Sequence, residues 1–214
     1  RLEENTGVID VAQTINPMVK FAANLGDSLI QEEMSPSNMC LTISESADCS
    51  NVISSKPLYN IDFDNGGGFM AYNSPMAISD DCQNLVIAMG AINQINILNL
   101  KDMSRLSVSL GNVKKRDQIL LEGAPRNIFY TGVCISDDNI IALNSNMSAE
   151  NMEKEERPIA DLHVIDMGGK LKGVVPLDRP IYFMTFSKKD KKIYAVDFNE
   201  NVCAYDLSKI GITL

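Results

Sequence analysis

Side chains able to do chemistry are few in this chain. The stretch "VCISDDNIIAL" (Val133 to Leu143) sets Ser136 beside Asp137 and Asp138 between two apolar runs. Paired carboxylates next to a hydroxyl could serve acid–base work, or they could close a turn, because Ser and Asp oxygens bond nearby backbone N–H groups. "NIDFDNGGGF" places Asp62, Asp64 and Asn65 before three glycines and invites calcium. An EF-hand loop opening at Asp62 needs an acid or amide at its fifth position and Glu at its twelfth, where Gly66 and Asn73 stand instead. A Gly-rich connector is the expectation there, and the same glycines do not form a phosphate-cradling G-x-x-x-x-G-K-[ST] loop.

Gly26-Asp27-Ser28-Leu29 spells the letters that name a group of serine hydrolases, whose serine pairs with a late Asp-x-x-His. The only histidine, His163, follows Asp161 with one residue between, a spacing short by one. A serine hydroxyl without a positioned base is a poor nucleophile, so catalysis is not expected here and His163 reads as a structural residue of an alternating run. The five cysteines, Cys40, Cys49, Cys82, Cys134 and Cys203, contain no C-x-x-C pair, which indicates neither a zinc site nor a dense disulfide frame. Cys134 and Cys203 lie in apolar runs and read as small buried hydrophobes. Cys40 and Cys49 are near enough in sequence for a local bridge. No catalytic, cofactor-binding or metal-ligating residue is assigned on these grounds.

The 214 residues carry 28 acids against 19 bases, a formal charge of -9, with no basic stripe interleaved with aromatics. Nucleic acid and anionic membrane surfaces are therefore not expected partners. No apolar run approaches the ~18 residues of a membrane helix, so the chain is expected not to span a membrane. The opening "RLEENTGVIDV" lacks a signal-peptide pattern, but it begins on Arg1, so it fixes no compartment.

The elements that must carry these residues repeat. "VCISDDNIIALNS" has relatives in "SPMAISDDCQNLVIAMG" (Ser74 to Gly90), "YFMTFSKKDKKIYAVDF" (Tyr182 to Phe198) and, more weakly, "VKFAANLGDSLIQEE" (Val19 to Glu33). Each is an apolar run, a polar corner and a second apolar run. The anchors Asp27, Ser79, Ser136 and Ser187 lie 52, 57 and 51 residues apart, a period of blade-like arrays. After them come "NQINILNL", "ADLHVIDM" and "NVCAYDL", alternating runs that close on Asn-Leu, Asp-Met or Asp-Leu. Period-two alternation of Val, Ile, Tyr and Phe predicts strands. The third unit holds a polar insertion, "NSNMSAENMEKEERP", read as a loop or a short helix. Eleven methionines fall largely in strand runs and suit core filling. At the corner, acids at Asp80, Asp81, Asp137 and Asp138 give way to Lys188 and Lys189, which suits a solvated turn. The expected fold is an all-β propeller of four-stranded antiparallel blades, one domain over residues 1–214.

The segment "FYTGVCISDDNIIALNSN", the Gly-Gly turn in "HVIDMGGKL", the link "PLDRPI" and "KKIYAVD" followed by "AYDL" resemble the TolB-like six-bladed propeller proteins, a largely uncharacterised bacterial group, mostly secreted or lipid-anchored. The resemblance runs from about Leu25 to Leu207 on the repeat. It implies a non-catalytic binding or scaffold protein outside the cytoplasm, facing a protein or glycan ligand, with no catalytic motif or cofactor to carry over. A six-bladed ring needs about six units and only four are countable. The remainder lies in an absent N-terminal part, or the ring is completed by other means, or it stays open. The competing class is a lactonase-like propeller hydrolase with a divalent cation held by carboxylates and asparagines in the central funnel.

Overall fold

The computed structural model describes residues 21–34, 38–45, 51–60, 74–111, 127–136, 138–148, 151 and 159–210. The calcium-like stretch at Asp62 to Asn73, Asp137, Cys49 and nearly all of 149–158 lie outside them. The chain packs as two units, Arg1–Asp64 and Asn65–Leu214.

The first unit is a meander of β1 (Ala22–Asn24), β2 (Ser28–Met34), β3 (Asn38–Glu45) and β4 (Val52–Asn60), antiparallel in that order. Gly26 and Asp27 form the two-residue corner between β1 and β2, with the Leu25 N–H donating to the Ser28 carbonyl at 2.7 Å. Gly26 has φ of 83°, the backbone that the first central position of a type II′ hairpin turn requires. Pro57, which has no N–H for the ladder, sits on the edge strand β4, where one is not needed. Ile30, Leu41 and Leu58 are buried.

The second unit holds three sheets. Strands β5 (Met76–Ile78), β6 (Asn84–Ala88), β7 (Gln94–Asn99) and β8 (Arg105–Ser109) form one meander. Strands β9 (Ile128–Ser136), β10 (Asn139–Met147), β11 (Asp161–Asp166) and β12 (Leu171–Pro176) form the next. Strands β13 (Ile181–Ser187), β14 (Lys192–Asp197) and β15 (Val202–Tyr205) form a three-stranded sheet followed by a 3-10 turn, Leu207–Ile210. Every repeat anchor falls at the corner between the first and second strand of its sheet, and the three later runs are β7, β11 and β15. One boundary differs from expectation. The polar letters start the insertion at Asn144, but β10 continues through Met147, because Asn144 and Met147 are buried and the Thr131 and Ser145 hydroxyls bond across β9 and β10 at 3.0 Å.

Period-two alternation sorts β10 and β11 into two apolar faces. Ile140, Ala142 and Ile165 pack with Val86, Ala88, Ile95 and Ile97 of the preceding sheet. Ile141, Leu143, Leu162 and Val164 pack with Met184, Ile193 and Ala195 of the following one. Gly132 on β9 lies at the second contact, where a Cβ would stand 3.5 Å from Leu143 Cβ and from Met184 Cγ, an ordinary van der Waals distance. Gly169, in the Gly-Gly turn, has φ of 86° and a Cβ on it would meet Val108 Cγ2 at 2.7 Å. Fully buried Leu143 fills the space between two sheets. Leu143→Ala should therefore destabilise the protein by about 2–5 kcal/mol, read from urea unfolding midpoints. A loss below about 1 kcal/mol would contradict the double-sided packing.

Candidate functional site

Strand β9 packs beside β5 on one side and β13 on the other. The first strands of the three sheets thus line a common side, and the corners that follow them gather at one end. There the Ser79 hydroxyl donates to Asp81 Oδ1 at 2.6 Å while accepting from the Asn84 N–H at 2.9 Å, and the Gln83 N–H reaches Asp81 Oδ1 at 3.0 Å. The Ser79 hydrogen bond, with that of the Gln83 amide, holds the Asp81 carboxyl below its ordinary range. Ser187 repeats the pattern by donating to Asp190 Oδ2 at 3.0 Å, which Tyr194 also reaches at 3.1 Å. These are bonds that shape corners and occupy the carboxylates. At the third corner Ser136 and Asn139 are buried, and Ser136 Oγ and Asn139 Oδ1 have no hydrogen-bond partner among the described residues. The change of sign at Lys188 does have a use: its ammonium pairs with Asp80 of another corner. Both side chains are more than half exposed, so the pair is worth little. Lys188→Ala should shift stability by less than about 1 kcal/mol in thermal unfolding, and a larger loss would mean that the corners are coupled more tightly than their exposure allows.

His163 is brought to chemistry of a different kind from that of a triad. It lies half-buried on β11, and Ser28 belongs to the other unit, at the start of β2. Tyr130 on β9, fully buried, donates to Asn93 Oδ1 at 3.1 Å and meets His163 Nδ1 at 3.1 Å. With its one proton given to Asn93, the phenol accepts from His163, which places the imidazole proton on Nδ1. The two rings stand edge to face with centroids 5.7 Å apart. Asn93, in the turn before β7, donates in turn to the Leu110 carbonyl. Burial pushes the Tyr130 phenol up to about 12, against an opposing hydrogen bond from Asn144. Burial also lowers His163 from its usual 6.5, with Asp161 pulling the other way. This polar group ties the second sheet to the third. Sequence reasoning missed it because Asn93, Tyr130 and His163 are far apart in the chain; the only signal was a buried-strand tyrosine, whose hydroxyl needs a partner.

A third cluster occupies the link "PLDRPI" between β12 and β13. Arg179 forks onto Asp178 at 3.1 and 2.8 Å and approaches Asp197 at 3.8 Å. Tyr205 donates to Asp178 at 2.7 Å. Arg179 and the tyrosine hydrogen bond hold Asp178 well below the usual carboxylate range. Asp197 in turn accepts from the Asn199 and Asn201 amides, both at 2.9 Å, and fixes the corner between β14 and β15. Cys203 donates to the Ala195 carbonyl at 3.4 Å, and burial pushes the Cys134 thiol up to about 12. Cys40 is half-buried on β3. Among the described residues no group of three or more His, Cys, Asp or Glu could hold a metal ion, and no helix is long and apolar enough to cross a membrane.

At the end where β14 turns into β15, Tyr182 and Phe198 form an exposed pair, with centroids 5.5 Å apart and planes at 69°. Neither residue was singled out from sequence, since isolated aromatics at strand ends are common.

Antiparallel meanders with their first strands side by side, stacked face to face, define a partial β-propeller. The particular comparisons agree at the level of fold. The chain is similar to hydrazine synthase of Kuenenia stuttgartiensis, at 12% identity and a TM-score of 0.53, over 86% of this chain and 44% of that one. It is similar also to the WD40 β-propeller domain of Doa1, at 10% identity and a TM-score of 0.53, over 90% of this chain and 52% of that one. The chain thus spans about half the length of these solved structures. No family model and no curated protein sequence matches it.

His163 gives a pH test. Its pKa is lowered on folding, so its contribution to stability is complete above the unfolded value of 6.5 and is lost as pH falls toward the folded pKa. Wild type should lose stability relative to His163→Gln between pH 7.5 and 5.5, by at most about 1.4 kcal/mol per pH unit. Parallel urea midpoints for the two proteins would contradict it. Tyr130→Phe, which takes the hydroxyl from two half-buried partners, Asn93 and His163, should cost about 1–3 kcal/mol, read from urea unfolding midpoints.

Proposed function

We propose that this chain is a non-catalytic binding module of the TolB-like six-bladed kind, one propeller domain across residues 1–214, working outside the cytoplasm and presenting an end of the propeller to a protein or glycan ligand. The compartment and family rest on the motif resemblance. The binding role rests on one observation, the Tyr182 and Phe198 pair. Tyr182 is 66% and Phe198 42% exposed. Two rings held edge to face at a surface keep a large apolar area in contact with water, at a cost that an incoming ligand relieves.

The pair is also held in place. Asp197 binds the amides on either side of the corner that carries Phe198, so little ordering entropy remains to be lost when a ligand docks. Flat rings stack on the apolar face of a sugar or seat an aliphatic side chain, and Asn199 and Glu200 offer polar groups beside them. Screening the protein against immobilised glycans and peptides should find ligands whose affinity drops about tenfold, or ~1.4 kcal/mol, in Tyr182→Ala and in Phe198→Ala. Ligands bound equally well by the double variant, or no ligand in either set, would remove this reading.

A further inference from the structure

The last sheet has a seat for a strand. The corners Ser79 to Asn84, Ser136 to Asn139 and Ser187 to Lys192 put the three sheets of the second unit in register with one another. Ala88, Leu143 and Val196 then occupy one equivalent position on the face turned toward the following sheet. Following the cross-strand pairs outward, the second sheet reads Ala88, Ile95, Val108 and the third reads Leu143, Leu162, Val175. The fourth reads Phe183, Val196, Val202 and then stops. Ala88, Ile95, Leu143 and Leu162 are buried, whereas Phe183 is 59% and Val202 74% exposed. Among the described residues β15 is bonded to β14 on one edge only, while β7 and β11 are bonded on both.

We propose that β15 takes up an extended segment of a partner protein as a fourth strand, antiparallel to it, with a β-branched aliphatic residue beside Val202 and an acidic N-terminal flank. The aliphatic requirement follows from the two complete rows, each of which ends in valine, at Val108 and Val175. Polarity follows from β8 and β12, which both start at the end where the first corners gather. At that end the fourth sheet carries Lys188, Lys189, Lys191, Lys192 and Lys209 against Asp190 and Asp206, with Asp80 paired to Lys188, in a chain whose net charge is -9. A strand entering there brings its N-terminal residues to the lysines, so acids fit and bases do not. Main-chain bonds supply affinity and alternate side chains supply selectivity. The inference rests on the reading of this chain as a binding module and names one partner for it, held by the edge of β15 and not by the two rings.

The probe is a fluorescein-labelled peptide with three glutamates followed by leucine and valine alternating with serine, titrated into the full chain. A second peptide of the same composition carries its glutamates at the C-terminus. The first should bind, more weakly as salt rises, and should slow hydrogen exchange at the amides of Val202 to Tyr205. Val202→Asp, at a surface position that folding tolerates, should weaken binding at least about tenfold, as should Lys192→Glu with Lys209→Glu. The second peptide should bind worse than the first. No binding up to about 1 mM, equal binding of both peptides, or binding unchanged in Val202→Asp overturns the proposal. So does slow exchange at Val202 to Tyr205 in the free protein, which would mean that this chain or a second copy already fills the seat. Peptide binding that survives while ligands of the aromatic pair are lost removes only the earlier reading, and the converse removes only this one.

Discussion

A strand that is apolar on both faces must be covered twice, and β10 is such a strand. Ile140 and Ala142 point one way, Ile141 and Leu143 the other, and all four are fully buried. Neither face can be left to water, since each branched side chain contributes about 1.5–3 kcal/mol through burial. The third sheet therefore requires the second on one side and the fourth on the other. Much of the second unit follows from that demand: short corners that return each second strand beside the first, and a glycine at Gly169 where the turn presses on Val108. Sheets that stack face to face around their first strands form a propeller because each one is both cover and covered.

Polar contacts then decide how the stacked sheets are joined. Asn93, Tyr130 and His163 form a satisfied network at the border of the second and third sheets, where a lost partner would leave a buried group unpaired. Asp178, Arg179 and Tyr205 do a related task at the border of the third and fourth, tying the link to the strand it must meet. The Lys188 and Asp80 pair joins two corners as well, but in water, where opposite charges contribute little. Burial, and not the number of charges, ranks these three junctions.

What the sequence revealed was local. The corners were legible because a serine oxygen bonds an amide three or five residues away, as Ser187 does with Asp190 and Ser79 with Asn84. The third strands were legible because Ile95 and Ile97 alternate with polar neighbours. Contacts between blades were not. Tyr130 and His163 are separated by 33 positions, and nothing in "FYTG" or "DLHV" announces the other. The sign change at Lys188 looked like indifference because its partner, Asp80, lies two sheets earlier. The end of β10 was misplaced because Asn144 and Ser145 are polar letters in a strand whose neighbours bury or bond them. Polarity is a fair guide to loops only where no second strand is waiting to satisfy the side chain.

The fourth sheet shows how a protein keeps an apolar face and an edge that no described strand pairs without sticking to everything. An exposed edge is a template for any strand, and long flat edges aggregate. Strand β15 is four residues long, and the 3-10 turn after it buries Leu207 and carries the chain off the edge. On the first strand, a bulge between Ile181 and Phe183 bends the sheet. Lysines crowd one end of it, and the overall charge of -9 keeps like chains apart. Each device discourages indiscriminate pairing, yet none covers Val202 or Phe183. A face shielded from most strands by length, curvature and charge has the properties of a selective surface, because what these features exclude is every occupant that lacks the matching shape and sign.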